Sequence, residues 1–287
     1  MIYLLLSILS SAIIFTTFKI SERFNTNLVK LITVNYLVAS ILGFSFNKQP
    51  LSISGLLSSY WFPFAILIGF SFILMFFLIG YSTRKSGVAV TSIASKMSMV
   101  IPILFSILYF SEKYNAIKIS GLIIAAVAVF LSSYRPVLKK QGFLLFFLPI
   151  VIFFGSGITD SIVKYAQTHH IPNSISLLFS AMVFSVALIL GVFYTILKRK
   201  SISANFSFAE ITGGIILGTA NFGSLYFFIL ALNNSKLDSS IVFGLNNICI
   251  VLLSVVIGSA IFKEKLTKIN HAGIVLAIIA ILILMIY

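Results

Sequence analysis

The chain has 287 residues, 60% hydrophobic and 9% charged, with a mean hydropathy of +1.14; a soluble domain averages about 45 to 50% apolar and about 25% charged residues. That balance excludes an ordinary water-soluble enzyme. Twenty Lys and Arg against six Asp and Glu give a formal net charge of +14, but the basic residues stand in short clusters between apolar runs, which points to membrane lipid and away from nucleic acid.

A helix needs about 20 apolar residues to cross the roughly 30 Å hydrocarbon layer. Ten such runs follow one another, which predicts an all-α integral membrane protein. The first is Ile2 to Ile20, closed by Glu22 and Arg23, and the second runs from about Leu28 to Phe46, before Asn47, Lys48 and Pro50. The third, about Tyr60 to Thr83, ends at Arg84 and Lys85; the fourth, about Gly87 to Ser111, at Glu112 and Lys113; the fifth, about Ile117 to Tyr134, at Arg135 and Pro136. Lys139 and Lys140 precede the sixth, about Gly142 to Lys164. The seventh, about Asn173 to Leu197, is closed by Lys198, Arg199 and Lys200, and the eighth, about Phe208 to Leu232, by Asn233 and Asn234. The ninth, about Ser239 to Phe262, is closed by Lys263, Glu264 and Lys265, and the tenth is about Ile269 to Tyr287. No basic residue precedes the first run and no small-x-small site follows it, so it reads as a retained span and not as a signal peptide. With every connection short, no soluble domain is expected.

Phe110-Ser111-Glu112-Lys113, followed by Gly121 and Ala125, recurs as Phe262-Lys263-Glu264-Lys265, followed by Gly273 and Ala277, at a constant offset. Ile117 and Ala128 match Ile269 and Ala280 in the same register. A Glu-Lys pair and a glycine at fixed spacing indicate an internal repeat. The halves, 1–139 and 140–287, then hold five spans each. Five is odd, so the second half enters the membrane in the opposite sense, giving two five-helix inverted-topology repeats. Many secondary transporters are built this way, with the substrate near midplane between the repeats.

With this arrangement, and with the segments around Pro102 to Gly121 and Ser254 to Gly273 reading as apolar helix, Glu, basic residue, Gly, the chain resembles the EamA-like branch of the drug/metabolite transporter superfamily. The likeness covers the whole chain. Ser10-Ser11-Ala12 stands where that family often has a tryptophan-glycine start. The resemblance implies a secondary transporter in the cytoplasmic membrane, commonly an exporter of amino acids or other small metabolites, with a cavity between the halves. Export of lipophilic cations is the alternative.

Ionisable groups deep in a span cost several kcal/mol and mark candidate sites. Lys96 lies about 13 Å of helix rise into the fourth span, beyond comfortable snorkelling reach, with Ser92, Ser95 and Met99 on its side of the helix. Pro102 cannot donate its amide, which predicts a free Ser98 carbonyl and a bend. A cation beside a bent helix suits a carboxylate or phosphate. Asn246 and Asn247 sit at the corresponding depth of the ninth span, about 100° apart, so one of the two is expected to face the cavity. Asn35 and Asn221 also lie near the middle of their spans, where asparagine serves as interhelical glue or ligand contact. Asp160 and Lys164 share a face of the sixth helix at i and i+4; they read either as a proton-coupling pair or as an ion pair at a wet helix end. Glu112 and Glu264 are expected to shape helix ends. Gly214 with Gly218, Gly121 with Ala125, and Gly273 with Ala277 have the small-xxx-small spacing of close helix crossings, and Tyr81 and Tyr226 read as packing or interfacial residues.

Connections after odd-numbered spans carry fourteen basic residues: Lys19, Arg23, Lys30, Arg84, Lys85, Arg135, Lys139, Lys140, Lys198, Arg199, Lys200, Lys263, Lys265 and Lys268. The other side carries five: Lys48, Lys113, Lys118, Lys164 and Lys236. Basic short loops stay cytoplasmic, which puts both termini outside, whereas the family resemblance implies both inside. A membrane-embedded enzyme would need a nucleophile, an acid–base pair or a metal cluster at matched depth. His169, His170 and His271 fall in connections or at helix ends, and the lone Cys249 allows no internal disulfide; no cofactor or metal is expected. The partners expected are a small-molecule substrate and lipid, with a monomer sufficient for a complete pathway.

Overall fold

The computed structural model describes residues 1–47, 49, 59–111, 115–133, 143–198, 205–235 and 239–286. Of the residues singled out above, Lys48, Pro50, Glu112, Lys113, Tyr134, Arg135, Pro136, Lys139, Lys140, Gly142, Arg199, Lys200, Lys236 and Tyr287 lie outside these.

A backbone in lipid must satisfy its own polar groups, and among the described residues the chain does so with helices alone. In chain order they are α1 (Ile2–Arg23), α2 (Leu28–Phe46), α3 (Phe62–Ser86), α4 (Val88–Met97), α5 (Val100–Tyr109), α6 (Ala116–Ser133), α7 (Phe143–His169), α8 (Ser176–Leu197), α9 (Phe208–Asn234), α10 (Ser239–Val256) and α11 (Lys268–Ile286). Eight stretches are long and apolar enough to cross a membrane: α1, α2, α3, the α4–α5 run, α7, α8, α9 and α10 with its extension. The described apolar parts of α6 and α11, Ala116–Ser132 and Lys268–Leu284, are shorter. The protein is thus a multi-pass membrane protein.

Polar residues at the helix ends set the boundaries. Asn27 caps α2, its side chain accepting from the amides of Val29 and Lys30. Ser207 and Glu210 cap α9 reciprocally. Gly87, at φ +98°, makes the turn between α3 and α4, a conformation for which glycine is suited. The fourth run is interrupted at Ser98 and Met99. The Ser98 carbonyl is not left free, as Pro102 led one to expect: the chain tightens there, and the Ile101 amide donates to it at 3.0 Å. The sixth run continues past Lys164 to His169, since no breaker intervenes before Pro172. Asp160 therefore sits deeper than its sequence reading placed it. The ninth run closes in a π turn, Ile257–Ile261.

Helix α1 packs on α9 and α10, α2 on α9 and α8, α3 on α8 and α7, α4 on α7 and α10, and α6 on α11. Glycines permit the tightest crossings. A Cβ on Gly214 would meet Val34 at 2.4 Å, one on Gly218 the Asn35 carbonyl oxygen at 2.5 Å, and one on Gly273 the Ser132 amide nitrogen at 2.5 Å. Outward stripes such as Phe147, Val151, Phe154 and Ile158 on α7 are exposed and apolar, as a lipid-facing surface must be.

Candidate functional site

Helix α4 is enclosed nearly all round: Val88 through Ala94 and Met97 are buried. Only Ser95 and Lys96, with Met99 at the break, keep partial access. An accessible patch on an otherwise enclosed helix faces a space inside the bundle. Helix α7 borders the same space. Its exposed apolar stripe centres near Phe147 and Val151, and at about 100° per residue Asp160 lies on the far side of the helix from that stripe. Asp160 is nonetheless exposed, so it opens inward and not to lipid. Helices α4 and α7 are in contact. Among the described residues neither the Lys96 nor the Asp160 side chain makes a hydrogen bond or a direct ion pair, so two neighbouring helices each keep an accessible charged residue without a direct partner.

Asp160 does not pair with Lys164, its i+4 neighbour. The Lys164 ammonium instead donates to the Ser106 hydroxyl of α5 and lies over the Phe110 ring, 5.8 Å from its centroid. The long, flexible lysine stem reaches the next helix, whereas the short aspartate stays at its own depth.

Helix α10 contributes the amides. Asn247 donates through Nδ2 to the Met99 sulfur at 3.2 Å, a weak acceptor, and so reaches the break between α4 and α5. Asn246 is buried, with Oδ1 lacking a partner among the described residues. Asn35 and Asn221 come together elsewhere, Asn221 Nδ2 donating to Asn35 Oδ1 at 3.3 Å; they join α2 to α9 and do not reach Lys96. Ser92 is fully buried and its hydroxyl donates to the Ala89 carbonyl at 2.9 Å, which leaves it no free polar edge towards the space. Tyr226 stacks with Phe222 and packs against Phe46, and Tyr81 stacks on Phe77, both packing roles.

One end of the bundle is dense in charged contacts. Glu264 accepts from the amides of Val88 at 2.6 Å and Ala89 at 3.3 Å, capping α4 from the opposite half of the chain. Arg84 donates to the Thr26 carbonyl, the Thr26 hydroxyl and the Ser21 hydroxyl, and Lys19 bridges Glu22 and the Arg84 carbonyl. Glu210 accepts from the Asn27 amide at 2.9 Å and pairs with Lys30 at 3.5 Å, both side chains buried. Asn270 donates to the carbonyls of Leu131 and Ser132. The C-terminal ends of α1, α3, α6 and α10 and the N-terminal end of α9 therefore meet at one end, where the described basic residues Lys19, Arg23, Lys30, Arg84, Lys85, Lys263, Lys265 and Lys268 lie. The cap at Ser207-Phe208-Ala209-Glu210 went unread although its spacing is a local sequence signal; that Glu264 would cap a helix so distant in sequence had no local signal.

No protein-family model matches the chain. An uncharacterized protein of Haemophilus influenzae is 26% identical over 286 residues, covering 97% of this chain and 95% of that protein. A solved crystal structure with 13% identity superposes at a TM-score of 0.62, covering 98% of this chain and 96% of that one. At that identity the likeness concerns the fold alone.

Proposed function

We propose that this protein is a secondary transporter of small metabolites across the cytoplasmic membrane. Its ten spans form two inverted five-helix repeats, 1–139 and 140–287, of the EamA-like kind, working by alternating access. The observation that carries the reading is that Lys96 keeps partial access on the otherwise enclosed α4, which packs on α7, where Asp160 is exposed on the side away from the apolar stripe. A charged group at that depth is costly unless it serves a pathway.

The packing supports the repeat. Exchanging α1 with α7, α2 with α8, α3 with α9, α4 with α10 and α6 with α11 turns the α1–α9 contact into α7–α3, α2–α9 into α8–α3, and α1–α10 into α7–α4. Under the same exchange α2–α8 and α6–α11 map onto themselves. A pseudo-two-fold relation requires that pattern.

Lys96 suits a carboxylate or phosphate, so the substrates are anionic or zwitterionic metabolites, amino acids and related compounds among them, moved outward. The deciding experiment is thermal stabilisation of detergent-purified protein across amino acids, organic acids, sugars, nucleotides and cationic drugs, with Lys96→Ala in parallel. A ligand at 100 times its dissociation constant adds about 2.7 kcal/mol. Stabilisation of the wild type alone by an anionic or zwitterionic compound is the expected result. Equal stabilisation of both proteins by lipophilic cations would replace this reading with that of a cation exporter, for which Asp160 is the natural partner.

A further inference from the structure

The repeated Phe-x-Glu-Lys motif builds the same backbone corner twice. Phe110, at φ −92° and ψ 1°, ends the α4–α5 run, and Phe262, at φ −95° and ψ −4°, ends the π turn that follows α10. The next residue is left-handed in both, Ser111 and Lys263 each at φ +53°, a conformation that costs a residue with a side chain. Since neither is a glycine, the packing around each corner must hold that turn.

Each ring carries a cation from the other half of the chain. Arg23, the last residue of α1, lies over Phe262 at 5.6 Å from its centroid, and Lys164 of α7 lies over Phe110 at 5.8 Å. Both distances are those of a cation–π attraction. The exchange that swaps α1 with α7 carries one contact onto the other. Phe262 stands two residues before Glu264, which caps the start of α4, whereas Phe110 stands at the far end of the same run. The two contacts therefore sit at opposite ends of the bundle. Each has further support: His169 of α7 stacks on Phe110 at 5.7 Å, and Phe262 packs against the cluster that holds Phe15 of α1 and Val88 of α4. Their strength suits contacts that part and re-form. Both rings are half-buried, where such an attraction shifts an equilibrium only a few-fold, whereas parting a buried pair such as Lys30–Glu210 strands two charges.

We infer that the two corners are paired latches between the halves of the chain. Arg23 on Phe262 closes the basic end, Lys164 on Phe110 closes the opposite end, and access to the interior from either end requires its own latch to part. Both latches are made in this structure. That they open in turn rests on the transport reading; that each closes its own end does not.

The test needs no substrate. In a Cys249→Ser background, Ser95→Cys places a thiol on the accessible side of α4, and a small, anionic, membrane-impermeant thiosulfonate is added to one or the other face of sealed vesicles. Asn115→Cys and Lys265→Cys, at the two ends, report which end the reagent meets. Phe262→Leu keeps the apolar bulk and removes the ring face. It is expected to raise the labelling rate at position 95 about threefold from the basic end alone, the size of a half-exposed contact. Phe110→Leu is expected to do the same from the opposite end alone. Arg23→Met and Lys164→Met reproduce the two effects with the rings intact, and carry the comparison if a leucine variant does not reach the membrane. Unchanged rates, a rise from both faces in any variant, or the same sidedness at both corners would overturn the inference. Those results leave the transport reading to be decided by the ligand panel, and failure of the panel leaves the two closures standing.

Discussion

Removing the Glu264 carboxylate tests whether the fourth span is held in place by the second half of the chain. Its oxygens satisfy two of the amides that the first turn of α4 cannot use internally. Hydrogen bonds to a charged group contribute about 1.5 to 3 kcal/mol together with what they satisfy, and a negative charge at a helix N-terminus about 0.3 to 1 kcal/mol more. Because Glu264 is half-buried, the lower part of that range applies. Glu264→Ala is expected to cost about 2 kcal/mol, a fall of about 5 °C in the midpoint of a thermal denaturation followed by size-exclusion chromatography. Glu264→Gln, which keeps one acceptor oxygen, falls between the two. Gly87→Ala reproduces part of the loss, because its φ of +98° disfavours a side chain and the new Cβ would lie 2.7 Å from the Glu264 carboxylate. Glu22→Ala is the control: its contacts with Lys19 and Lys85 are partly exposed, where ion pairs contribute little. A Glu264→Ala protein as stable as the wild type, or no more affected than Glu22→Ala, would refute this account.

Glu210→Ala is expected to destabilise by about 3 kcal/mol, and more than Lys30→Met, because it strands a buried ammonium and also orphans the amides of Asn27 and Ser207; denaturation midpoints of the two variants decide. Gly218→Val should abolish monodisperse protein, since even its Cβ would lie 2.5 Å from the Asn35 carbonyl oxygen, whereas Gly223→Ala, whose Cβ would meet Ser10 Oγ at 3.1 Å, should be tolerated. With Cys249 replaced by serine, an impermeant maleimide added to intact cells should label Asn115→Cys and not Lys265→Cys, the basic end being cytoplasmic; the reverse pattern would show that charge bias does not set the orientation here.

Much of the helical plan was legible because lipid allows so few alternatives. Leu28–Phe46 emerged with the bounds that apolar length and Asn47 imply. The small-xxx-small spacings at Gly214, Gly218 and Gly273 marked real close crossings, since a missing side chain is itself the geometric signal. What stayed hidden depended on partners distant in sequence. Asp160 and Lys164 were paired by helical spacing, yet Lys164 has a better neighbour in Ser106 of another helix. Asn35 and Asn221 each read as interhelical glue or ligand contact until the packing of α2 on α9 joined them. The freed Ser98 carbonyl was sound chemistry with the wrong remedy: the helix tightened instead of opening.

Helix α4 gathers these points. Its first turn exposes amides that Glu264 accepts from, its body packs on α7, which carries Asp160, and its break at Met99 is met by Asn247. All three partners come from residues 140–287, and they meet α4 at three successive heights along its length. Moving α4 against that half of the chain must disturb each of them, in different ways. The Glu264 hydrogen bonds are short and directional, and break within a fraction of an ångström. The Asn247 bond to sulfur is weak and easily exchanged for a ligand atom. Near Lys96 the packing of α4 on α7 carries no direct ion pair, and charge interactions at longer range change gradually with distance. Motion near Lys96 is therefore cheap while the Glu264 cap holds, and α4 is predicted to pivot about its capped end. Spin labels at positions 95 and 89 read against a label on α10 should show a broader distance distribution at 95 than at 89. In Glu264→Ala that difference should disappear; its persistence would mean that the cap does not anchor the helix.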